Sequence, residues 1–99
     1  MRMAHQRQEV FNNLPKYLEI IKKTACNLDS KAEIYLFGSV ATQEHNYSSD
    51  IDILIMTKLR PAKVFAELWK AGIEEPFEIH VHTREEAEFF RRTAKLVKL

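Results

Sequence analysis

Two hydrophobic periods alternate along the chain, and the alternation narrows the folds open to it. Leu14, Tyr17, Leu18, Ile21, Ala25 and Leu28 recur at the spacing of one helix face. Asn13 stands where an N-cap would, and Pro15 falls in the first turn, where a missing N–H costs nothing. Asn27 to Lys31 interrupts that helix. Ala32 to Phe37 then reads as a strand, apolar on both faces toward its end, as in a strand inside a sheet. Gly38-Ser39 stops it, Val40 to Glu44 suits a short helix, and Glu44 to Ser49 is polar loop. Asp50 to Met56 is a second strand, and Pro61 opens a helix over Ala62 to Ala71 that closes near Gly72. Phe77 to His82 is a third strand. Thr83-Arg84-Glu85-Glu86 is a capping box and predicts a last helix from Arg84 toward Lys95. Arg91, Arg92, Lys95 and Lys98 then gather at its C-terminal end, where cations meet the negative end of the helix dipole. The order α-β-α-β-α-β-α predicts an α/β domain with at least three strands in a small sheet.

A chain of 99 residues with no repeat and no linker is expected to be a single domain over 1–99, with 1–12 a short helix or arm. Lys+Arg at 15 against Asp+Glu at 14 leaves a net charge of +1, so no global field draws the chain to nucleic acid or an anionic membrane. Its longest apolar runs, Ile34 to Phe37 and Ile53 to Met56, fall far short of the roughly 20 residues a membrane helix needs. The first nine residues hold no apolar signal-peptide core. Cys26, the one cysteine, is expected to be a small packed thiol. A reducing, cytoplasmic location follows as the expectation.

Three segments carry chemistry. In Ser49-Asp50-Ile51-Asp52-Ile53-Leu54-Ile55-Met56, strand alternation puts Ile51, Ile53 and Ile55 on one face and Asp50 and Asp52 on the other. Two like charges about 6.6 Å apart repel on a face that continues in apolar form with Leu54 and Met56. A divalent metal gives such a pair a purpose, since Mg²⁺ takes carboxylates together with substrate phosphates. Solvent-exposed strand caps are the alternative. In Leu36-Phe37-Gly38-Ser39-Val40, a glycine after a buried strand lets a ligand approach the backbone, and N–H groups at a helix start favour phosphate. In Phe77-Glu78-Ile79-His80-Val81-His82, the same alternation sends Glu78, His80 and His82 to one face. Glu78 meets the Asp pair if the two strands are neighbours. The histidines, at i and i+2, could in principle bind a transition metal, but with no further ligand in view they are expected in polar or solvent-facing roles.

Gly38-Ser39 followed by Ser49-Asp50-Ile51-Asp52, with Glu78 on a later strand, resembles the signature of nucleotidyltransferases related to DNA polymerase beta. The chain is most similar in length and spacing to the minimal nucleotidyltransferase domains that act as antitoxins beside HEPN-domain toxins. The resemblance covers about Ala32 to His82. It implies the small mixed-sheet α/β fold of that superfamily. It implies that Asp50, Asp52 and Glu78 hold two Mg²⁺ ions and that Gly38 and Ser39 contact the β- and γ-phosphates of ATP or another NTP. It also implies transfer of a nucleoside monophosphate, AMP from ATP, to a hydroxyl, which for the antitoxin group is a tyrosine of the partner toxin. Thr42-Gln43 departs from the Arg-Gly or Lys-Gly pair of many members, and Glu78 replaces the commoner Asp. A weak or inactive module that neutralises a partner ribonuclease by binding alone is therefore the alternative. A small-molecule transferase ranks last, because no second lobe is evident to hold the acceptor. Phe65, Leu68 and Trp69 are expected to pack on the sheet beneath the site. Of the adjacent Phe89 and Phe90, one should face outward and join Val97 and Leu99 in a patch for a partner or a second copy.

Overall fold

The computed structural model describes residues 8–41 and 50–99. Residues 8–12 are helical and lead into α1 (Leu14–Leu28). Then follow β1 (Glu33–Phe37), α2 (Gly38–Ala41), β2 (Ile51–Met56), α3 (Pro61–Lys70), β3 (Phe77–His82), α4 (Glu88–Thr93) and β4 (Val97–Lys98). The sheet runs β3-β2-β1-β4. β1 is antiparallel to β2 and β4, while β2 and β3 are parallel. A parallel neighbour needs a crossover, and α3 supplies it. The expected α/β class is thus met by a mixed four-stranded sheet carrying helices.

One face of the sheet is the main core. Ile51, Ile53 and Ile55 are fully buried there beside Ile34, Leu36 and Val81. Ile21 and Ala25 of α1 and Val64 and Leu68 of α3 close over them. Each such isoleucine or leucine contributes about 1.5–3 kcal/mol by leaving water. Gly72, at φ 88, ends α3, and the Ile73 N–H returns to Leu68 O at 2.9 Å. The opposite face holds a smaller cluster of Leu54, Met56 and Ala87 with Tyr35, Phe37, Phe90 and Leu96 around it.

Several expectations change. Asn13 does not cap α1: the helical turn before it captures its side chain, whose Nδ2 donates to Glu9 O at 3.0 Å. The short helix after β1 begins at Gly38 itself, not Val40. Leu68 is buried, but Phe65 and Trp69 are 44% and 68% exposed. Val64 and Leu68 set the buried stripe of α3, and the residue after each is turned about 100° away from it. The capping box forms, with the Thr83 N–H donating to Glu86 Oε1 at 2.8 Å and the Glu86 N–H to Thr83 Oγ1 at 3.3 Å. Residues 84–87 nevertheless form turns, and α4 starts only at Glu88. The helix stops at Thr93, short of Lys95, and beyond it Val97 and Lys98 make a fourth strand against β1 that the sequence pattern did not predict. Phe89 is the outward ring of its pair and Phe90 the inward one, but Leu99 packs on the main core instead of joining an outer patch. The polar loop and the Thr42-Gln43 departure lie outside the described residues. Among the described residues, no helix is long and apolar enough to cross a membrane.

Candidate active site

Strand register assembles the site. Asp52 is paired with Phe37 on β1 and with Glu78 on β3. Side chains at directly opposed positions share a face, so the two carboxylates become neighbours across β2 and β3. His80, two residues beyond Glu78, points to the same side. Its Nε2 lies 3.7 Å from Asp52 Oδ1 and 3.7 Å from Glu78 Oε1. Those are electrostatic contacts, too long for hydrogen bonds. Among the described residues, Asp52, Glu78 and His80 form a group whose ligand atoms all lie within 4.8 Å of one another.

Gly38 completes the corner. Its φ of 75 places it in the left-handed region, and a Cβ built there would land on Asp52 Oδ2. The bend after β1 and the carboxylate of β2 therefore occupy adjoining space, which any other residue would invade. Ser39 follows as the second residue of α2, and its side chain lies outside the described residues. Asp50 is exposed and sits one residue before β2, outside the 4.8 Å group. Burial pushes the Asp52 carboxyl above the ordinary value of 3.8, and the Glu78 charge pushes it further. His80 pulls in the opposite direction, and the Asp50 charge adds a smaller upward push. Among the described residues, His80 is the group that offsets this push, and the net shift of the carboxyl stays upward.

His80 is the member that the sequence reading set aside. The period that aims Glu78 at Asp52 also aims His80, so the signal lay in the register of β3. His82 keeps a peripheral role, with Nδ1 at 3.5 Å from Glu86 Oε1. Phe37 and Phe90 wall the histidine, at 5.2 and 5.9 Å between ring centroids. Two carboxylates and a solvent-shielded imidazole nitrogen with no hydrogen-bond partner are a donor set that suits a divalent cation.

The comparisons with known proteins agree with this fold. The model of the nucleotidyltransferase domain family matches residues 18–98. A crystal structure described as that of a putative nucleotidyltransferase is similar with a TM-score of 0.69 and 30% identity, over 83% of this chain and 96% of that one. No curated protein matches. The chain belongs to the nucleotidyltransferase domain family. It is an α/β nucleotidyltransferase domain, as the Gly-Ser and Asp-x-Asp spacing implied.

Proposed function

We propose that this domain transfers a nucleoside monophosphate, AMP from ATP, to the hydroxyl of a tyrosine on a HEPN-type toxin and thereby acts as its antitoxin. The observation that supports a catalytic role is the meeting of Asp52 and Glu78 beside the Gly38 bend. In this reading Asp50, Asp52 and Glu78 are the carboxylates that hold Mg²⁺, and the backbone at Gly38 and Ser39 receives the β- and γ-phosphates. A bound divalent ion supplies polarisation of the acceptor oxygen and neutralises charge on the leaving group. The acceptor oxygen attacks the α-phosphorus, an O–P bond forms, the α–β bridge breaks, and pyrophosphate departs. The exposed carboxylate of Glu78 takes the hydroxyl proton and passes it to solvent. The uncovered rings of Phe65, Trp69 and Phe89 favour a protein as the acceptor, because they offer apolar surface for docking. They equally serve the second reading, neutralisation by binding alone.

The test combines the domain, a HEPN toxin encoded beside it, Mg²⁺ and α-labelled ATP. Label should move to a toxin tyrosine, and Asp52→Ala should reduce the rate by at least about a hundredfold. No label transfer by the unaltered domain, with the toxin neutralised all the same, would leave the binding reading alone standing.

A further inference from the structure

We infer that His80 Nε2 is itself a metal ligand, and that the resulting Asp52–Glu78–His80 set prefers a first-row transition cation such as Mn²⁺ over Mg²⁺. The inference rests on the reading that Asp52 and Glu78 hold a divalent cation, and it adds a nitrogen donor to them.

The ring is braced by two aromatic neighbours. Phe37 and Phe90 pack against it at centroid distances of 5.2 and 5.9 Å, and Phe90 is itself held by Phe37 at 5.4 Å. Nε2 is shielded from solvent, lacks a hydrogen-bond partner among the described residues, and faces both carboxylates at 3.7 Å. A buried polar atom without a partner costs free energy, which a bound ion would recover. Ligand atoms within 4.8 Å of one another can surround one ion with little movement. Mg²⁺ favours an all-oxygen shell and keeps several waters. Imidazole nitrogen suits later first-row ions, and affinity for mixed nitrogen and oxygen sites rises along that row.

The experiment titrates Mn²⁺ and Mg²⁺ separately into the nucleotide-free domain by calorimetry, and reads the Mn²⁺ shell by pulsed electron paramagnetic resonance. The unaltered domain should bind Mn²⁺ more tightly than Mg²⁺ and show a directly bound imidazole nitrogen. His80→Phe keeps the ring packing, and His80→Asn keeps a polar tip. Each should weaken Mn²⁺ by about 10–100-fold, abolish the nitrogen signal and leave Mg²⁺ nearly unchanged. Circular dichroism identifies which variants are folded. Mn²⁺ held equally well by a folded His80 variant, or bound without a nitrogen signal, overturns the histidine ligand while the carboxylate reading survives. Failure of the unaltered domain to bind either ion overturns both.

Discussion

Two aspartates mark the two ends of β2, and the protein treats them oppositely. Asp29, in the turn after α1, meets the far end of the strand. Its Oδ2 accepts from the Thr57 hydroxyl at 2.6 Å and its Oδ1 from the Lys31 N–H at 3.0 Å. Those bonds, with Lys31 and Lys58 nearby, hold its carboxyl below 3.8. Asp52, near the strand's start, is pushed above 3.8 by burial and by Glu78. The first carboxylate ties a turn to the sheet and is complete within the fold. The second is held in an environment that on balance opposes its charge, with His80 offsetting only part of the push. In the proposed function the second, whose surroundings oppose its charge, is the working residue.

The largest effect on this contrast should come from Gly38. Gly38→Ala forces a side chain into the space of Asp52 Oδ2 and holds alanine at φ 75. It should destabilise the domain by about 1–3 kcal/mol, measured by urea unfolding. Adding Asp52→Gly should return part of that loss, so the double variant is more stable than the sum of the singles predicts. Strict additivity would mean that the glycine is required only for its backbone angle. The equivalent test at the other end has no counterpart, because Asp29 is held by bonds and not by a glycine hollow.

The contrast also explains what the sequence could and could not say. Alternation in Asp50 to Met56 and Phe77 to His82 is enough to separate Ile51, Ile53, Ile55 and Val81 from Asp52, Glu78 and His80, and both strands fall where periodicity puts them. That Asp52 faces Glu78 depends on parallel pairing in a particular register, which period two allows but does not choose. His80 was legible as a neighbour of Glu78 and not as part of the site, because its worth depends on Asp52 lying across the strand. Trp69 shows the opposite failure. A large aromatic beside Leu68 invites burial, yet Val64 and Leu68 set the buried stripe and Trp69, one residue on, is turned off it. The brief β4 was hidden because Val97-Lys98 is too short to show a period at all.

A smaller effect follows from the uncovered charge. In metal-free protein at neutral pH, Asp52→Asn removes a carboxylate that the fold disfavours and should raise the melting midpoint by a few degrees. Asp29→Asn weakens a satisfied carboxylate and should lower it. Millimolar Mn²⁺ or Mg²⁺ should raise the midpoint of the unaltered domain and of Asp29→Asn, but not of Asp52→Asn. A cation shift that persists in Asp52→Asn would locate the ion elsewhere.

The finest distinction lies in acid. A carboxyl raised in the folded state imposes a penalty that is complete above its raised value and gone below the free value of 3.8. A lowered one gives stability that is present above 3.8 and is lost as pH falls through its depressed value. On metal-free protein titrated downward from neutrality, the advantage of Asp52→Asn over the unaltered domain should therefore fade first, before pH reaches 3.8. The disadvantage of Asp29→Asn should outlast it and fade only below 3.8. Unfolding midpoints at closely spaced pH values read both curves. If the two differences fade together, or in the reverse order, then the two ends of β2 do not differ in the way their hydrogen bonds and burial require.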